Sequence, residues 1–79
     1  MKQRYIILPM GFVEDGCLYK SDLRIVPLSI ESYLSTKISF TDEDGMIQEE
    51  EGVRIHTKSG MDFDILLSME DFENTTEHY

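Results

Sequence analysis

The sequence predicts a mainly β fold: a small antiparallel β roll or partly open barrel of about five strands, closed by a short C-terminal helix, with an α+β arrangement as the alternative. Three observations carry that expectation. Two tight-turn signatures, Asp15-Gly16 and Lys58-Ser59-Gly60, each sit between runs of alternating apolar and polar residues. A further alternating run, Lys37 to Thr41, lies between them. Near the end, Ser68-Met69-Glu70-Asp71 has the pattern of a helix start, a hydroxyl cap followed by acids in the first turn.

The first strand pair follows from its turn. A two-residue type I′ turn needs positive φ at both positions, which Asp tolerates and Gly prefers. A turn at Asp15-Gly16 sets Phe12 opposite Tyr19, Leu8 opposite Leu23 and Ile6 opposite Ile25. Pro9 then falls opposite Asp22, and because proline donates nothing to a ladder the strand is expected at a sheet edge or interrupted by a bulge. Pro27 ends the second strand. Beyond it Ser29 can cap one or two helical turns in which Ile30, Tyr33 and Leu34 share a face, although extended chain fits the same residues. Lys37 to Thr41 reads as a half-buried strand with Ile38 and Phe40 inward.

The strongest pattern is GVRIHTKSGMDFDILL. A three-residue loop at Lys58-Ser59-Gly60, with Gly60 left-handed, stacks Ile55 on Phe63 and Val53 on Ile65 on one face. On the other face it places His56 against Asp62 and Arg54 against Asp64, opposite charges across the ladder. A helix from about Met69 to Thr75, anchored by Met69 and Phe72, closes the chain. Residues 1–79 read as one domain, with 74–79 a frayed tail.

The charge is lopsided. The net charge is −9, yet residues 1–41 hold five Lys/Arg against four acids, a net +1, and residues 42–79 hold two Lys/Arg against twelve acids, a net −10. An excess of this kind repels phosphates, so neither direct nucleic-acid binding nor an anionic membrane is expected. The run Tyr5 to Leu8 is too short for a membrane span or a signal-peptide core. The one cysteine, Cys17, has no second cysteine in the chain to pair with, which fits a reducing, cytoplasmic setting.

The stretch TDEDGMIQEEEG, residues 41–52, holds six carboxylates in twelve positions. It spells part of an EF-hand calcium loop, with Asp42 third, Asp44 fifth, Gly45 sixth, Ile47 eighth and Glu51 twelfth. Phe40, however, stands where the first ligand belongs, and the flanks alternate like strands, so the reading is an acidic turn with no metal and no cofactor. Pairing across this turn is expected to fail early, because the registers that oppose Phe40 to Ile47 set Ile38 against an acid. Glu49, Glu50 and Glu51 are accordingly expected on an exposed edge or loop.

No catalytic signature appears: there is no CxxC, HExxH, GxSxG or phosphate-cradling loop, and Cys17, His56 and His78 have structural readings. The expected role is a non-enzymatic binding module. Its partner-binding residues are Asp42, Glu43, Asp44, Glu49, Glu50, Glu51, Glu70, Asp71 and Glu73, offered to a basic protein surface. Carboxylates so placed can imitate a phosphate backbone, as small acidic inhibitors of restriction or CRISPR enzymes do as a class. Asp62 and Asp64 stand outside this set because His56 and Arg54 neutralise them. The alternative is a structural or assembly subunit acting through edge strands or homo-oligomer contacts, with the charge only solubilising.

Overall fold

The computed structural model describes residues 4–77. Five antiparallel strands form one open sheet: β1 (Ile6–Glu14), β2 (Cys17–Ile25), β3 (Ile30–Thr41), β4 (Ile47–Thr57) and β5 (Asp62–Ile65), followed by the helix α1 (Met69–Glu77). The strand order is β2-β1-β5-β4-β3, so two long hairpins flank a short central strand. The first pairs as the turn dictates, with Phe12 opposite Tyr19, Leu8 opposite Leu23 and Ile6 opposite Ile25. Asp15 and Gly16 both have positive φ, at 52° and 80°. The β4–β5 hairpin likewise keeps its expected register, with Val53 opposite Ile65 and Ile55 opposite Phe63. Gly60 takes its left-handed position at φ 89°.

Four expectations are corrected. β1 is neither at an edge nor bulged: it lies between β2 and β5, and its ladder with β2 is continuous through Pro9. The proline fits because residues flanking a two-residue turn form a hydrogen-bonded pair, and alternation then points the Pro9 backbone away from β2. On that side its carbonyl accepts the Leu66 N–H at 2.7 Å, just past the end of β5, and no donor is asked of it.

Secondly, of the two readings of the residues after Pro27 the helical one fails and extended chain holds: beyond a single 3-10 turn, Pro27–Ser29, Ile30, Tyr33 and Leu34 belong to β3. Tyr33 and Leu34 are exposed, so their helical spacing reported no buried face. Thirdly, the acidic turn closes a full hairpin. β3 and β4 pair from Thr41–Ile47 through Ile38–Glu50 to Ser32–His56, which places Glu49, Glu50 and Glu51 inside the ladder. Fourthly, α1 runs to Glu77, so residues 74–77 of the expected tail are helical, while 78 and 79 lie outside the described residues. The cap is as expected, the Asp71 N–H donating to Ser68 Oγ at 3.1 Å.

The main core gathers Ile6, Leu8, Ile25, Val53, Ile55, Ile65 and Phe72. Phe72 is 1% exposed, and its ring meets Tyr33 of β3 with centroids 5.0 Å apart. Ile38 is equally buried but lies outside that cluster. Alternation explains why: Ile38 opposes Glu50, an even position of β4, whereas Val53 and Ile55 are odd and face the other way. The hairpin therefore shelters one face near α1 and the opposite face near its tip.

Gly52 stands at the changeover. A Cβ there would lie 2.8 Å from the Ile65 carbonyl oxygen and 3.3 Å from Ile38 Cδ1, so only glycine lets the chains pass this closely. The sheet curls until the Gly16 carbonyl accepts the Thr41 N–H at 2.7 Å, joining the tip of the first hairpin to the end of β3. Elsewhere the sheet stays open.

Candidate functional site

The nine acids expected at the site fall into three groups. Asp42, Glu43 and Asp44 occupy the tip between β3 and β4. Glu49, Glu50 and Glu51 lie on β4, and Glu70, Asp71 and Glu73 lie on α1.

At the tip, Asp42 is consumed by its own turn. One carboxylate oxygen accepts the N–H groups of Asp44 and Met46, both at 2.9 Å, and the other accepts the Gln48 amide at 2.8 Å. The Gln48 bond and then the Met46 bond hold its pKa below the usual carboxylate value. Gly45, at φ 78°, supplies the left-handed residue the turn needs. Asp42 thus builds the tip, and Glu43 and Asp44 are the acids the tip displays.

On β4, odd positions share a face, so Glu49 and Glu51 point together and Glu50 points the other way. Lys37 is opposite Glu51 in register, yet its ammonium comes within 4.0 Å of Glu49 instead. Glu51 is left without an ion pair within 4.0 Å among the described residues. On the other face Glu50 lies 4.0 Å from Lys20 of β2. Both contacts join exposed side chains at the outer limit of an ion pair, where screening by water leaves little attraction. These lysines still temper the acidic surface, a correction to the expectation that Glu49 and Glu50 stand unmatched.

On α1, Glu70 and Asp71 sit in the first turn, beside the positive end of the helix dipole. Glu73 turns toward β3 and accepts the Tyr33 hydroxyl at 3.1 Å. That hydrogen bond, reinforced by the charges of Glu73 and Glu77, raises the Tyr33 pKa. Glu77 is an acid the sequence reading omitted. It lay in the expected tail, although it sits four residues after Glu73, on the same helical face.

Between β3, β4 and the start of α1 lies an open hollow of about 430 Å³, lined by Ser35, Thr36, Lys37, Glu51, Gly52 and Met69. Of the nine acids only Glu51 lines it, and Met69, the first residue of α1, is the helix's contribution to the wall. Among the described residues, no three His, Cys, Asp or Glu side chains gather as a metal would require. The calcium spacing dissolves in three dimensions, because Glu51 is drawn along β4 and Asp42 is spent on its turn.

Away from this surface, Arg54 grips Asp64 through two hydrogen bonds, 2.8 and 3.3 Å, and His56 Nδ1 lies 2.6 Å from Asp62. The two aspartates set aside as neutralised are indeed paired. Among the described residues no helix is long and apolar enough to cross a membrane. No protein-family model, no curated protein and no solved structure matches the chain.

Proposed function

We propose that this protein is a non-catalytic binding module that docks its acidic C-terminal half onto a basic protein surface. The supporting observation is a shortage of internal cations. Residues 42–79 carry twelve acids and two Lys/Arg, and one of those two, Arg54, is held by Asp64. Lys20 and Lys37 each reach one glutamate from outside that half, loosely. Glu43, Asp44, Glu51, Glu70 and Asp71 make no ion pair within 4.0 Å among the described residues, and they are the anionic groups a partner would meet. In its sharper form the proposal makes these carboxylates stand-ins for phosphates, so that the module inhibits a nucleic-acid-binding enzyme by occupying its binding groove.

The test is affinity capture with the whole chain. The Glu43→Lys, Asp44→Lys, Glu51→Lys combination, checked by circular dichroism for an unchanged fold, should lose the partner that the natural chain retains. The captured complex should dissociate as salt rises from about 0.1 M to 1 M. A retained partner indifferent to both treatments defeats the proposal. The sharper form requires in addition that the module displace labelled DNA or RNA from that partner.

A further inference from the structure

We propose that the protein forms a two-fold symmetric homodimer through its β2 edges, the strands pairing antiparallel about Ser21. This does not rest on the acidic-surface reading, since β2 contributes none of those carboxylates; the two share only Lys20, which also lies 4.0 Å from Glu50. β2 is the last strand on its side of the sheet. The turn at Asp15-Gly16 makes Glu14 and Cys17 a hydrogen-bonded pair, so odd residues of β2 turn their backbone groups toward β1. The N–H and C=O groups of Leu18, Lys20, Asp22 and Arg24 point out of the sheet. Among the described residues none of these groups takes part in a backbone hydrogen bond from outside the sheet ladders.

The β2 edge lacks two of the devices that blunt an edge strand. It holds no proline, and its ladder runs nine residues without a bulge. The opposite edge, β3, has both a register shift between Ile30 and Ser32 and its Thr41 N–H committed to Gly16. That leaves nine of its twelve residues regular and unoccupied, Ser32 to Phe40, where β2 is regular over its whole length.

Charge complementarity selects a second copy as the occupant. Symmetric pairing must be centred on a residue, because a centre between residues would set outward backbone groups against inward ones. Centred on Ser21, all nine residues overlap. Lys20 then lies opposite Asp22 of the second copy, and by symmetry Asp22 lies opposite the second copy's Lys20. Tyr19, half exposed and stacked on Phe12 with centroids 5.4 Å apart, meets the second copy's Leu23. Centring on Lys20 opposes that lysine to itself. Centring on Asp22 opposes that aspartate to itself and Lys20 to Arg24. Centring on Leu23 opposes Asp22 to Arg24 but overlaps only residues 21–25. The sequence of β2 thus fits its own reverse best in the register that overlaps most.

The competing role for Lys20 is that of a guard, a charge placed to keep the edge monomeric. Sedimentation equilibrium on the full chain separates the two. The natural protein should show twice the chain mass. Lys20→Asp and Asp22→Lys singly set like charges across both pairs and should each raise the dissociation constant about tenfold or more, while the double swap restores dimerisation. Recovery in the double swap also shows that the single variants had not simply misfolded. Ser21→Cys in a Cys17→Ser background should yield an intermolecular disulfide on mild oxidation, because the axis brings the two residue-21 Cα atoms to about 4.5 Å. A monomer at about 1 mM, a dimer untouched by either reversal, or single losses the swap does not repair would each overturn the proposal.

Discussion

Along the β3–β4 hairpin, the end beneath α1 and the end that carries the acidic tip differ in which face is sheltered. Near α1 the odd residues Val53, Ile55 and Thr57 are buried in β4, and the even Arg54 is exposed. Beyond Gly52 the buried position is Ile38 of β3, with Phe40 half-buried, on the face of Glu50 and Gln48. Ile47, on the opposite face, is 78% exposed. Strict alternation holds at both ends. What changes is where the rest of the molecule lies. A curled sheet presents one face to the helix and the other to its own first hairpin, whose tip bonds to Thr41. The acids occupy the end with the smaller shelter, where strand pairing leaves most side chains in water.

The sharpest way to break this comparison uses two isoleucines of the same end. Ile38→Ala removes a side chain that is 5% exposed and should cost about 2–4 kcal/mol, close to what a main-core isoleucine costs. Ile47→Ala, on the unsheltered face, should stay within about 0.5 kcal/mol. Urea denaturation midpoints measure both. Equal small losses would mean that the far end buries neither face and that the acidic half is held by its near end alone.

The changeover can be probed at its pivot. Gly52→Ala places a methyl group 2.8 Å from the Ile65 carbonyl, a backbone atom that cannot rotate aside. The expected loss is about 1–3 kcal/mol of stability, read from the same midpoints. Faster amide exchange at β5 and at Ile38 should accompany it, because the strain is shared by both faces. A neutral outcome would show that β4 can slide past β5 and that glycine is not required for the face to switch.

Much of this was legible in the sequence, and the boundary is physical. Asp15-Gly16 and Lys58-Ser59-Gly60 fix their registers through local backbone chemistry, so Phe12–Tyr19 and Ile55–Phe63 could be written down before any fold was known. Ser68 capped the helix for the same local reason. Pro9 misled because its tolerance depends on β5 ending at Ile65, far away in sequence. From sequence the β3–β4 pairing is expected to fail early because an acid opposite Ile38 reads as a mismatch, yet Ile38 does lie opposite Glu50. That opposition is the signature of the curl, and a buried Gly52 beside Ile38 is the residue that could have announced it. Of the site, the acids were plain but their company was not. The Lys20–Glu50 and Tyr33–Glu73 contacts join residues thirty and forty positions apart, brought together by tertiary folding.

The smallest expected effect lies on the exposed face of the near end, where His56 and Asp62 meet across the ladder. The hydrogen bond to Asp62, opposed by partial desolvation and aided by the charges of Asp62 and Glu31, raises the His56 pKa above its usual 6.5. A group whose folded pKa is raised contributes stability that is fully present below the unfolded value and disappears as pH climbs through the folded one. Stability should therefore fall gently as pH rises from just below 6.5 through the raised pKa. His56→Gln should flatten that slope while leaving stability on the alkaline side unchanged. Because both side chains are exposed, the slope is small, and NMR titration of the imidazole measures it most directly. An imidazole titrating at or below 6.5 would show that the 2.6 Å contact is not maintained in water. Arg54–Asp64, one ladder step away, would then be left as the polar pair that registers β4 against β5.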